Sequence, residues 1–305
     1  MTIITPWAND STQIPQGLNS NDILDLAGLN WKVDKVPLFL GQDKVIQLPS
    51  HYALTKSSDN SIMGICGYEY IPSQNEEIMG FFDKFIKAGS MVLDSVGSLR
   101  GGTWVWALAK INDSFVLPGD DEVGAYLLLA NPHIWGKAMT IKFTNIRISC
   151  MNTLTMALND SFSKFRFIHT RDFNHDIMEY AEEALGLSKL RMKESEELFS
   201  FLASKQYSQA ELIKFAMDLF GAKSSTGDAI SLKRNGYEFL QYVEKSPGSD
   251  LKSAKGTWWG AFNALTYMCD YTLGEDEHRL FNSWFGAKER LKLEGLKLAT
   301  KYAKK

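Results

Sequence analysis

The sequence predicts an α+β protein: an N-terminal antiparallel β-sheet region carrying one or two helices, followed by a helical C-terminal region. Three observations carry this. Up to about residue 172 apolar residues recur mainly with period two between short turn signals. Beyond about residue 174 the period lengthens to 3.6. Strand runs followed by helix runs, without alternation, mean α+β or two domains. The divisions expected are an extended arm over 1–19, a sheet domain over 20–172 and a helical region over 173–305. Ser/Gly/Lys-rich linkers are expected near 221–229 and 246–256.

Taken in order, Ser20 starts a short helix that Gly28 closes. Trp31–Leu40 and Lys44–Leu48 flank the turn Gly41-Gln42-Asp43, and Tyr52–Lys56 and Ser61–Tyr70 flank Ser57-Ser58-Asp59-Asn60, two hairpin signals. Ser73 with Glu76 reads as a capping box for a helix bearing Ile78, Met79, Phe82, Phe85 and Ile86, stopped at Gly89. Met91–Ile111 is strand-rich, with breaks at Gly97, Gly101 and Gly102 and the β-formers Thr103-Trp104-Val105-Trp106. Pro118–Asp121 is a turn, Val123–Ala130 a strand, and Phe165–His169 a last strand. Asn174–Ser204 reads as a long helix broken at Gly186. Ser208 and Glu211 form a second capping box for a helix to Phe220, and Trp258, Phe262, Leu265 and Cys269 mark one helical face. A final helix is expected from about Asp276 onward.

The segment Trp135–Leu154 is the most informative. Met139, Ile141 and Phe143 alternate with Thr140, Lys142 and Thr144, and then the apolar phase slips to Ile146, Ile148 and Cys150. A one-residue slip predicts a β-bulge. Asn152-Thr153 reads as a helix cap before an apolar stretch to Leu158, which puts Arg147 at a strand-to-helix corner with free N–H groups, either an anion site or, equally, a core strand with one exposed arginine.

The 305 residues carry a net charge of −3 and are 45% hydrophobic, an ordinary globular composition. No apolar run reaches the ~18 residues of a membrane span, so no membrane partner is expected. The N-terminus lacks the basic and apolar regions of a secretion signal. Cys66, Cys150 and Cys269 read as separate buried thiols in a reducing, cytoplasmic setting. Charge is uneven: Lys288, Arg290, Lys292, Lys297, Lys301, Lys304 and Lys305 oppose only Glu289 and Glu294, a basic terminal helix that reads first as a solvated face and second as a contact for phosphates or an acidic partner.

The chain resembles the phage/plasmid-like protein family, domain of unknown function 932. The residues carrying the likeness are Ala27–Trp31 with Val33 and Pro37, Gly67–Asn75, Gly97–Trp106, Arg147–Leu154, Gly256–Tyr267, and Trp284–Gly286 with Lys288. The resemblance implies an accessory role for a mobile genetic element in the cytoplasm of a bacterial host. It brings no catalytic residues with it.

Three functions are weighed. The first is binding of nucleic acid, most plausibly single-stranded DNA in replication or recombination, on an antiparallel sheet bearing aromatics and cations. Its candidate residues are Arg147, Lys142, Arg100, Trp104, Trp106, Lys164, Arg166 and Arg171; Trp104 and Trp106 share one strand face. Set against this, a run so apolar normally faces inward, making both tryptophans core. The second is an enzyme. Asp120-Asp121-Glu122 with His133 matches no metal motif and reads better as a solvated turn, and no nucleophile elbow or phosphate-cradling loop is present. No cofactor or metal is expected. The third is a protein-binding module that inhibits a host factor or forms a homo-oligomeric scaffold through Trp258, Trp259, Trp284 and Phe285, although aromatics at helical spacing more often mark a core.

Overall fold

The computed structural model describes residues 5–41, 46–87, 90–154, 164–167, 176–224, 230–274 and 278–305. It confirms the α+β architecture. Strands β1 (Ser11–Gln13), β2 (Val33–Leu40), β3 (Ile46–Lys56), β4 (Ile62–Gly67), β5 (Met91–Leu99), β6 (Trp104–Leu117), β7 (Asp121–Pro132), β8 (Met139–Arg147), β9 (Asn152–Leu154) and β10 (Lys164–Phe167) are accompanied by α1 (Ser20–Leu26) and α2 (Asn75–Lys87). Then follow α3 (Asp176–Ser204), α4 (Gln209–Phe220), the small hairpin β11 (Ala222–Ser224) and β12 (Ile230–Leu232), α5 (Arg234–Lys245), α6 (Trp258–Tyr267), α7 (Arg279–Phe285) and α8 (Ala287–Ala303).

The main sheet has the order β1-β5-β6-β7-β8-β10, with β9 folding back on β8, and every pairing is antiparallel. A separate sheet, β2-β3-β4, is a meander built from the two predicted hairpins. The main sheet is covered on both faces. On one face Val105, Ala107 and Ala109 of β6 and Val123, Ala125, Leu127 and Leu129 of β7 join Ile78 and Phe82 of α2, Phe199 of α3 and Trp258, Trp259 and Phe262 of α6. On the other, Trp104, Trp106, Leu108, Tyr126, Leu128 and Ile146 pack under Trp7 and under Leu280 and Trp284 of α7. Two cores, one on each face, therefore tie the sheet to the C-terminal helices.

This two-sided burial corrects several expectations. The register of β8 against β7 runs without a break from Val123↔Arg147 to Ala130↔Thr140, so β8 carries no bulge. The apolar phase slips because the early half of β8 (Met139, Ile141) buries one face in the first core and the late half (Ile146) buries the other in the second. Asn152-Thr153 forms β9 and is no cap, and the Thr153 N–H donates to Asp270 Oδ2 at 2.8 Å; the stretch to Leu158 expected to follow lies outside the described residues. The N-terminal arm is not free: β1 pairs with β5, and Trp7 is fully buried 5.9 Å from the Trp284 ring. Gly97 makes that approach possible, because a Cβ there would lie 1.9 Å from the Asp10 carbonyl oxygen. Helix α3 runs unbroken through Gly186, and the terminal helix is two helices interrupted at Gly286.

Caps agree in part. Ser208 and Glu211 form the predicted box on α4. The start of α2 shifts one residue along, with the Gln74 N–H donating to Glu77 Oε2 at 3.0 Å. All three cysteines are buried and unpaired in disulfides. Among the described residues no helix is long and apolar enough to cross a membrane.

Candidate functional site

The residue proposed to lead the site, Arg147, is fully buried. Its Nε and Nη2 donate to the two carboxylate oxygens of Asp121 at 2.7 and 2.8 Å, a bidentate pair, and Nη2 also reaches the Gly248 carbonyl at 2.9 Å. Asp121 is completed by Ser253 Oγ (2.6 Å), the Trp259 indole N–H (2.8 Å) and Ser149 Oγ (3.3 Å). Burial alone pushes the Asp121 carboxyl up, but Arg147 and these donors outweigh it and hold the carboxyl below its ordinary value. So Arg147 ties β7 and β8 to the 246–256 segment, which packs as part of the fold and is no free linker. It is not available to an outside phosphate. Asp121 is likewise no solvated turn residue, and His133 lies at the far end of β7, so the two form no metal site. Among the described residues no group of three potential metal ligands occurs.

Other predicted residues are similarly committed. Trp106 is fully buried and Trp104 is 8% exposed, packed edge-on against Trp284 and Phe281 at 4.8 and 5.1 Å. This removes the stacking platform: α7 occupies the face that bases would need. Lys142 Nζ donates to the Trp284 carbonyl (2.6 Å) and to Glu289 Oε1 (2.8 Å), fastening β8 to α8. Arg100 is exposed at the β5–β6 turn, its guanidinium 3.7 Å from the centre of the Phe281 ring. Lys164 and Arg166 lie on β10 opposite Lys142 and Thr140, on the edge strand of the main sheet. Arg171 lies outside the described residues. The basic terminal helix is also partly inward-facing. Lys292 is fully buried and pairs with Asp270, while donating to Thr153 Oγ1 and Ser283 Oγ at 2.6 Å each.

What the sequence reading missed is an open cleft of about 740 Å³ between the small sheet and the β7–β8 loop. It is lined by His51, Gly67–Tyr70 and Trp135–Ala138. Seven of the eight tryptophans are no more than 8% exposed, whereas Trp135 is 55% exposed, and Tyr68 beside it is 70% exposed. The cleft is built from both sides. Gly67 ends β4 opposite His51, and its bare Cα lets the Trp135 indole lie against the strand, since a Cβ there would sit 3.2 Å from Trp135 Cζ2. Lys35 Nζ donates to the carbonyls of Tyr68 and Tyr70 and sits 4.5 Å from the Tyr52 ring centre, fixing the chain after β4.

The Trp135 loop is fixed at its root. Asn75 donates its amide to the carbonyls of Leu29 (2.8 Å) and Trp31 (3.3 Å), which orients its Oδ1 to accept from His133 Nε2 at 3.1 Å. Gly136, at φ +77°, turns the loop so that Lys137 reaches the rim, where the Lys137 N–H donates to the Ile134 carbonyl at 3.1 Å. Two exposed aromatic faces beside a lysine can hold a planar ring and an anion together. The legible signal was Trp-Gly-Lys one residue after Asn-Pro-His at the end of β7, a loop signature that the strand reading of 139–150 overshadowed.

Residues 62–273 match the family described as Domain of unknown function (DUF932). That match includes the Gly67–Tyr70 and Trp135–Ala138 walls of the cleft but not His51, and it spans the Asp121–Arg147 network. No curated protein and no solved structure matches the chain.

Proposed function

The chain belongs to the DUF932 family, and we propose that it binds single-stranded nucleic acid, serving the DNA metabolism of a mobile element in the bacterial cytoplasm. Bases stack on Tyr68 and Trp135, and Lys137 contacts phosphate at the rim. One observation carries this reading: a protein that buries every other tryptophan leaves Trp135 exposed beside an exposed tyrosine and a lysine. Single-strand binders combine this kind of stacking surface with a cationic track. We assign the track to two positions of strand β10, taken from its backbone register on β8. Arg166 stands opposite Thr140, two residues beyond Ala138 of the cleft, and Lys164 follows opposite Lys142. The binding surface proposed here thus keeps two of the predicted cationic positions and exchanges the tryptophans.

Anisotropy of a labelled single-stranded oligonucleotide, titrated at low and high salt, tests it. Binding is expected at low salt and should weaken steeply as salt rises. Replacing Trp135 by Ala should cost about 1–3 kcal/mol, roughly 5- to 150-fold in affinity, with unfolding temperature unchanged. Because Trp135 is the exposed indole, acrylamide quenching of tryptophan fluorescence should fall when the oligonucleotide binds. Absence of binding at low salt, or a Trp135→Ala protein that binds like the parent, defeats the reading.

A further inference from the structure

We infer that two copies of this chain associate through β4, edge to edge and antiparallel, with the apolar outer face of the small sheet continuing across the twofold axis. The strand order is β2-β3-β4, so β4 is an edge, and among the described hydrogen bonds the backbone of Ile62–Cys66 pairs only with β3. The edge is also unprotected. Ile62-Met63-Gly64-Ile65-Cys66-Gly67 holds no charge and no proline, whereas the opposite edge, β2, carries Asp34, Lys35 and Pro37. Proteins ordinarily blunt a free edge with such residues, because an unpaired row of N–H and C=O groups templates another strand.

The register adds a second feature. Val36, Ala53 and Ile65 align across the three strands, and Ile62 aligns with Thr55, so these side chains share one face. The opposite face, with Val33, Leu54 and Cys66, enters the core. On the outer face Val36 is 43%, Ile65 54% and Ile62 70% exposed. Together these three present roughly 300 Å² of apolar surface, a size found at interaction sites and over a third of the ~800 Å² each partner contributes to a standard interface, to which the paired edge adds its own area. A second copy is the occupant both features fit. Antiparallel pairing of a strand with itself is self-complementary about a twofold axis, and it joins two uncharged edges and two apolar faces. The pairing proposed here uses Ile62–Cys66, whereas Gly67 at the end of β4 lies against Trp135 in the cleft, so association is read without oligonucleotide.

Sedimentation velocity of the full chain, from low micromolar to ~100 µM, tests it. The mass is expected to rise with concentration from 34.4 kDa toward a dimer. Ile65→Lys and, separately, Ile62→Lys should each weaken association ~10-fold or more, because the twofold brings like charges together. Both positions are exposed, so circular dichroism melts should match the parent. Leu190→Lys, at a 52% exposed position on α3, should leave association intact. A monomer at every concentration overturns the inference. So does a dimer that survives both isoleucine substitutions.

Discussion

Arg147→Ala is expected to cost about 3–5 kcal/mol of folding stability, because it leaves the Asp121 carboxylate buried without its cation. Asp121 and Arg147 are both fully buried, and the carboxylate gathers Ser149, Ser253 and Trp259 as well as the guanidinium. Urea unfolding measures the loss. Replacing the pair together, Asp121→Leu with Arg147→Met, should recover much of it, since two apolar side chains leave no unpaired charge. The pH dependence gives an independent check. The folded Asp121 carboxyl is held below its unfolded value of ~4, so its contribution is fully present above that pH and is lost as pH falls through the folded value. In Arg147→Ala burial acts on the carboxyl without the guanidinium to oppose it. Its folded pKa rises, and acid unfolding should begin at higher pH than in the parent. Should Arg147→Ala instead remain as stable as the parent while losing oligonucleotide binding, Arg147 would be a ligand-binding residue after all.

A chain ending at Leu273, where the family match ends, is expected not to fold. Four kinds of contact go with the missing residues. Trp284 no longer covers Trp106 and Trp7, and Phe281 and Phe285 no longer cover Trp104. Tyr302 leaves Trp258 and Phe215, whose ring centres lie 5.1 and 6.0 Å from it. Glu289 leaves Lys142, and Lys292 leaves Asp270 buried and unpaired. Trp284, Leu280, Leu296 and Tyr302 are buried at 2–5% exposure, and each large apolar side chain is worth roughly 1.5–3 kcal/mol. Their sum alone rivals the ~5–15 kcal/mol stability of an ordinary domain. The truncated chain should show no near-ultraviolet dichroism and strong binding of a hydrophobic dye. A cooperative melt would show that residues 1–273 hold their own core.

The helical caps and the meander were legible because they are local. Ser208 and Glu211 meet within one turn, and the hairpins of β2, β3 and β4 are closed by short polar segments whose neighbours pair directly. Trp258, Phe262, Leu265 and Cys269 share one face on any helix, whatever surrounds it, and all four are buried. The errors fall where two layers meet. The pattern of β8 reads as a bulge only if one face of the sheet is wet; once both faces are dry, the same residues fit an unbroken register. Asn152 and Thr153 have the chemistry of a cap, yet their partners are Asn263, Thr266 and Asp270, more than a hundred residues away.

Shared motifs carried the likeness to the family, and period, punctuation and caps in the sequence by themselves determined the α+β class, most element positions and the buried state of the cysteines. These follow from backbone geometry and from contacts within a few residues. Only the tertiary structure decided which cations and aromatics face water. Trp104 and Trp106 lie under α7, Arg147 is locked to Asp121, and Trp135 alone among the tryptophans stands open beside Tyr68. Exposure is a property of what packs against a residue, and those packing partners come from distant parts of the chain.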